Sequence, residues 1–250
     1  MELRENERLD YVNDGLELIQ NELGLTFGTD ALLLAGYVDG RYPRGVELGG
    51  GSGIISMLLL TRDKVKDIDC IEVQPDYAEL IARNAEHNRL GDRLHSVLSD
   101  VRDYRPDAEY DAVFTNPPYM RTDSGRRCDS DSKNIARHEV NGDISDFCRA
   151  GAKMLRWGGS MYVVYRPDRL CDLIAAMRDC GAEPKRMTLV HADSEAVPSM
   201  VLIEGKRGAR SGMRLTPPLL IYKDKSHTAY SSDMEYIMEN GSFPEAFRKK

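Results

Sequence analysis

Short apolar runs recur along the chain, each bounded by glycine, proline or charged residues. They are VELGG near Val46, DIDCIEV from Asp67, LHSVLSD from Leu94, YDAVFTN from Tyr110 and GSMYVVYR from Gly159. Strands covered on both faces of a sheet have this pattern. Segments of helical spacing separate them: Ile54 to Arg62, Pro75 to Arg89, Ile144 to Arg156 and Pro167 to Cys180. Pro75 and Pro167 stand where a first helical turn has no use for an N–H. Such alternation predicts an α/β chain with a doubly wound, mostly parallel sheet and right-handed crossovers.

The last two runs, MTLVHAD and PSMVLIEGKR, have only a few residues between them and no room for a helix. They predict a C-terminal antiparallel hairpin, which brings the sheet to seven strands. A parallel sheet finished in this way has the outline of a class I methyltransferase (Rossmann-like) fold. With 250 residues, 41% of them hydrophobic, one domain over 1–250 is expected. Residues 1–45 then form an extension before the sheet, and 209–250 a tail after it.

Composition narrows the setting. No apolar run nears the roughly 18–20 residues of a membrane span. The charged start, MELRENERLD, lacks the apolar core of a secretory signal. Cys70, Cys128, Cys148, Cys171 and Cys180 are scattered and never form C-x-x-C, which predicts reduced thiols in a cytoplasmic protein. The histidines lack ligand spacing, so no metal is expected. A net charge of −7 argues against a uniformly basic nucleic-acid binder and leaves room for a local basic patch. A membrane partner is not expected, and a monomer is the simplest reading of an otherwise open oligomeric state.

The first strand-to-helix turn reads VELGGGSGII, with Glu47, Gly49, Gly51 and Gly53 in an acidic-x-G-x-G-x-G pattern. Glycines permit a tight turn and a close ligand approach. The dinucleotide fingerprint fails because Ile54 stands where its third glycine belongs. Glu47 would also repel a pyrophosphate. S-adenosylmethionine, with a sulfonium, an ammonium and no phosphate, fits the charge pattern better. Glu72 ends the second strand, where an acid commonly accepts from both ribose hydroxyls. Asp100, after the third strand, is placed to accept from the adenine amine.

The fourth strand delivers Asn116, Pro117, Pro118 and Tyr119 to the same edge. The prolines stiffen the turn and add carbonyls without N–H donors. An amide oxygen and a proline carbonyl can together grip an NH2 group, favouring a pyramidal nitrogen aligned for in-line attack on a methyl group. Tyr119 offers a stacking face for a planar substrate.

N-P-P-Y resembles the catalytic motif of amine-directed, S-adenosylmethionine-dependent methyltransferases, which act on DNA or RNA adenine or on a glutamine of release factors. ERLDYVNDGLELIQ, LTFGTDALLLAGYV, NIARHEV and MRLTPPLLIYKDKSHTAYS resemble, more narrowly, bacterial tRNA(Val) adenine-N6-methyltransferases. This resemblance spans nearly the whole chain. It implies methyl transfer to the N6 amine of the adenosine 3′ of the anticodon, with Asn116, Pro117 and Tyr119 on the target base. It further implies that Glu47, Gly49, Gly51, Gly53, Glu72 and Asp100 hold the cofactor, with Phe27, Thr29 and Asp30 beside its methionine end. FGTDALLL also reads as a helix capped by Thr29 or Asp30.

Arg121, Arg126, Arg127, Lys133, Arg137 and His138 make the following polar segment a candidate tRNA contact, diluted by Asp123, Asp129 and Asp131. Arg207, Arg210, Arg214, Lys249 and Lys250 form a second candidate patch. Glutamine N5-methylation of a release factor, methylation of another RNA or DNA amine, and a catalytically silent cofactor-binding module are the alternatives. Release-factor enzymes usually carry a sizeable N-terminal helical domain, for which fewer than fifty residues are present here. An intact N-P-P-Y argues against a silent module.

Overall fold

The computed structural model describes residues 3–12, 15–22, 27–118 and 142–248. In chain order the elements are β1 (Glu7–Tyr11), β2 (Glu17–Asn21), α1 (Thr29–Tyr37), β3 (Tyr42–Leu48), α2 (Ile54–Thr61), β4 (Val65–Glu72), α3 (Pro75–His87), β5 (Leu94–Leu98) and β6 (Tyr110–Thr115). They continue with α4 (Ile144–Met154), β7 (Leu155–Tyr165), α5 (Leu170–Asp179), β8 (Ala182–His191), β9 (Pro198–Arg207), β10 (Arg214–Leu215), β11 (Leu219–Leu220) and α6 (Ser232–Asn240).

The main sheet has the order β10-β8-β9-β7-β6-β3-β4-β5, with β11 also on β8. Strands β3 to β7 pair in parallel, and β9 runs antiparallel to both β7 and β8. This is the expected class I methyltransferase architecture. Its seven long strands are the expected ones, and the sheet counts nine because β10 and β11 add two residues each along β8. Two-residue strands carry no periodicity, so their pairing is set by tertiary packing.

Side chains alternate between two core layers, as strand geometry requires. Ala112 and Phe114 of β6 point to the layer containing α1, α2 and α3, while Val113 points to the layer containing α4 and α5. The extension is tied to this frame by one buried amide. Asn84 of α3 accepts from the Ile19 N–H (2.8 Å) and donates to the Ile19 and Ser52 carbonyls (3.1 Å each). The β1–β2 hairpin is thereby held to the turn after β3.

The tail is held from the other side. Arg186 is 2% exposed, donates to the Tyr37 and Phe247 carbonyls at 2.7 Å each, and pairs with the buried Glu204 at 3.1 Å. Its guanidinium lies 3.9 Å from the Tyr37 ring centroid. Phe243 and Phe247 complete an edge-to-face cluster on Tyr37.

Register also locates the second basic patch. Arg207 pairs with Ala182 at the start of β8, and Arg214 pairs with Arg186. Arg207 lies at the amino edge of the parallel strands, away from the N-P-P turn, whereas Arg214 stands midway along β8, in the row that runs through Glu204 and Tyr162 to Phe114. Arg207 donates to the Leu155 carbonyl, and Arg214 donates to the Ala246 and Arg248 carbonyls. Lys249 and Lys250 lie outside the described residues. Among the described residues, no helix is long and apolar enough to cross a membrane. Cys70, Cys148, Cys171 and Cys180 are free thiols, and Cys128 lies outside the description.

Candidate active site at the carboxyl edge of the sheet

Strand β3 gives way to the glycine turn. Gly49, Gly51 and Gly53 adopt φ of 74°, 55° and 81°, a region open chiefly to glycine. Between them, Gly50 is pressed onto β4, where an added Cβ would sit 2.2 Å from Cys70 Sγ. Above Gly51 an added Cβ would meet nothing within 4 Å. The turn is thus packed below and open above.

Three acids surround the turn. Glu72, the last residue of β4, accepts from the Gly51 N–H (3.0 Å) and the Gln74 N–H (2.9 Å). Its carboxylate therefore fixes both the glycine turn and the start of α3. Asp100 lies two residues past β5 and is gripped by Arg102, through the backbone N–H (2.8 Å) and the guanidinium (2.9 Å and 2.5 Å). These hydrogen bonds hold its carboxyl below the usual range. Glu47 is 1% exposed and accepts from the N–H (3.0 Å) and hydroxyl of Ser56.

Burial pushes the Glu47 carboxyl from 4.5 up to about 7. The folded state then holds a proton that the unfolded chain has released, so stability falls as pH rises from about 4.5 to about 7. Glu47→Gln is expected to flatten that slope. Urea midpoints of both proteins at about pH 5 and about pH 8 measure it; parallel slopes would refute the assignment.

Asn116 follows β6 directly. Its Nδ2 donates to Asp30 Oδ2 at 2.8 Å, across 86 residues of sequence. A carboxylate oxygen accepts from an amide N–H, so this contact fixes which end of the amide faces Asp30 and turns Oδ1 to the opposite side. Asp30 does not cap α1: the N-cap is Gly28, with no side-chain cap, and the other Asp30 oxygen accepts from the Ala31 N–H (2.9 Å). The alternative reading of Thr29 or Asp30 as the cap is not met: both lie within α1, and Asp30 makes a long-range contact instead.

These residues line one cleft with two lobes. In the first, Glu72 and Asp100 stand among the apolar side chains of Ile71, Val73, Val101 and Phe147. The second is walled by Phe27, Gly28, Asp30, Glu47 and Pro117. Gly49, Gly51, Asn116 and Pro118 belong to both. Thr29 and Gly53 are not among the lining residues; Gly53 instead packs toward Ile81, at 3.3 Å from an added Cβ. Tyr119, Arg121, Arg126, Arg127, Lys133, Arg137 and His138 lie outside the described residues.

The described lining holds four acidic side chains and neither lysine nor arginine. That donor set suits a ligand with positive charge and no phosphate. The apolar walls beside Glu72 suit a nucleoside. Asp67, Asp69 and His95 come within ligand distance of one another toward the amino edge, but Arg44 (3.0 Å) and the Tyr110 hydroxyl already hold Asp69.

The model of the Methyltransferase small domain family matches residues 24–177, more than half of the chain. The chain belongs to that family. As a member of this methyltransferase family it is similar to the tRNA1(Val) (adenine(37)-N6)-methyltransferase of Phocaeicola vulgatus, with 27% identity over 72% of this chain and 76% of the relative. The enzyme of the same name from Dyadobacter fermentans is 23% identical over 82% of this chain and 85% of its own. Among solved structures, a predicted O-methyltransferase from Agrobacterium tumefaciens superposes with a TM-score of 0.68, at 23% identity, covering 86% of this chain and 98% of its own. At that identity the likeness speaks for the fold.

Sequence reading passed over several residues of this methyltransferase cleft. Gln74, Tyr77 and Phe147 line it, while Ser56 and Asn84 brace it from below. Two of them left a trace. Ser56 is the only polar residue in the run IISMLLL, and Asn84 falls on the buried side of α3. A lone polar group in a buried stripe needs a partner.

Proposed function

We propose that the chain transfers a methyl group from S-adenosylmethionine to the exocyclic N6 amine of an adenosine in tRNA, beside the anticodon. The observation that carries this reading is the Asp30–Asn116 hydrogen bond, because it directs an amide oxygen rather than an NH2 toward an incoming amine. The acid-rich, phosphate-averse lining supports the cofactor. The names of the relatives, with the FGTDA, ARHE and PPLLIY stretches, support adenine in tRNA.

When bound, S-adenosylmethionine supplies a methyl group on a sulfonium. Glu72 is assigned to the ribose hydroxyls, Asp100 to the adenine side, and Glu47 with Phe27 to the methionine side, while Asp30 orients the Asn116 amide. Gly49 and Gly51 leave the backbone open to the ligand. Asn116 Oδ1 and the Pro117 carbonyl accept the two amine hydrogens, and Tyr119 stacks on the base. Positioning and preorganised acceptors lower the barrier without a separate base, since the nitrogen gives up its proton only after attack. The extension 1–45 and the tail 209–250 are read as parts of one domain, on the strength of the Asn84 and Arg186 anchors.

The test is transfer of labelled methyl to total tRNA, duplex DNA and peptide release factor in parallel. Label on an adenosine of tRNA alone is expected; label confined to protein or DNA would overturn the substrate.

A further inference from the structure

The stretch Tyr222 to Tyr230 takes no part in the cleft, yet it carries a set of hydrogen bonds and ring contacts of its own. Asp193 accepts from the Glu195 N–H (2.9 Å), the Ala196 N–H (3.1 Å) and His227 Nε2 (2.8 Å). This carboxylate pins the tip of the loop to the β8–β9 hairpin. His227 is held there at φ 53°, a backbone state side chains seldom adopt. Its ring stacks on Tyr222 at 4.6 Å, and Tyr222 stacks on Tyr230 at 5.5 Å. Tyr222 and Tyr230 are also joined by a backbone bridge, and the Lys223 N–H donates to the Ala229 carbonyl at 3.0 Å.

Three stacked rings usually belong to a core. Here Tyr230 is 42% exposed and His227 is exposed as well. The stack therefore ends on the surface. Lys223 and Lys225 flank it, each paired with one exposed acid, Glu235 at 3.4 Å and Glu195 at 2.5 Å. Surface pairs of this kind are weak and readily exchanged for a phosphate.

Topology gives the loop its meaning. Strand β8 is antiparallel to β9, which is antiparallel to β7, which is parallel to β6. The ends of β8 and β6 thus share one edge of the sheet. Strand β11 pairs in parallel with Val190 and His191, so the chain leaves it at that same edge. From β6 to β11 there are four strand spacings of about 4.8 Å, or about 19 Å. Stacked nucleotides rise about 3.4 Å each, so the loop stands on the order of five to six stacked nucleotides from Asn116.

We propose that the Tyr222–Tyr230 loop is a docking element for single-stranded RNA, with Tyr230 stacking on an unpaired base and Lys223 and Lys225 meeting the phosphates beside it. An aromatic face with adjacent cations is the chemistry by which single strands are held without sequence readout. The occupant is the RNA whose adenosine lies at Asn116, so the assignment rests on the function proposed above.

The experiment is fluorescence anisotropy of a labelled anticodon stem-loop RNA, which reads binding without needing catalysis. Tyr230→Ala is expected to weaken binding about tenfold, Tyr230→Phe to keep it within about twofold, and S-adenosylmethionine affinity to stay unchanged. The double substitution Lys223→Ala, Lys225→Ala is expected to lower the slope of log affinity against log salt by about 1 to 2. Thermal midpoints identify a variant that has lost its fold, and the lysine pair then serves in place of Tyr230→Ala. Wild-type binding with unchanged affinity and salt slope in the folded variants would overturn the loop's role, as would a wild-type protein that binds no RNA. RNA binding lost in Tyr230→Ala, with methyl transferred only to DNA or protein, would uphold the loop and overturn the substrate.

Discussion

Asn116→Ala is expected to lower kcat by about 10²–10³-fold while the Kd for S-adenosylmethionine stays within about twofold. The size follows from what the side chain does. A preorganised acceptor at the reacting nitrogen counts most where charge develops, and the chain has built this one in advance. Asp30 turns the amide, β6 delivers it, and Pro117 and Pro118 stiffen the exit. None of these contacts is needed to hold the ribose or adenine, which Glu72 and Asp100 are assigned to do from the other side of Gly51. Single-turnover transfer with labelled cofactor gives the rate, and calorimetry gives the affinity. A variant with wild-type kcat would remove the clamp from the mechanism. One with intact kcat and weakened cofactor binding would move Asn116 to the cofactor.

The sheet was legible because its strands are apolar runs set off by breakers. The elements that escaped had no such mark. In β1, ERLDY, no residue is fully buried, and the hairpin gains its place through β2 and Asn84. Strands β10 and β11 are two residues long. Tail helix α6 has few buried side chains, among them Met234 and Ile237.

The site shows the same division. A glycine turn and an N-P-P turn are local events, written in adjacent residues, and so is an acid at a strand end such as Glu72. Partners are not local. Nothing in LSDVR announces that Arg102 folds back on Asp100, and nothing in FGTDA announces that Asp30 faces a residue 86 positions away. Phe147 reaches the cleft only because α4 lies against the opposite face of the sheet.

The Asp30 contact yields the second large effect. Asp30→Asn keeps size and shape but replaces an acceptor-only group by one that can also donate. The Asn116 amide then loses the reason to keep its NH2 on that side, and Oδ1 no longer faces the substrate in every molecule. A charge-assisted hydrogen bond contributes about 1.5–3 kcal/mol, so kcat is expected to fall by about 10- to 100-fold. The alternative role, implied by family resemblance, puts Asp30 beside the methionine end of the cofactor. That role predicts a raised Kd for S-adenosylmethionine with little change in kcat at saturation. Measuring both constants in one variant separates the two, and a double-mutant cycle completes the test. If Asp30 acts through Asn116, adding Asp30→Asn to Asn116→Ala costs nothing further in kcat. Additive losses would place Asp30 in contact with cofactor or substrate on its own account.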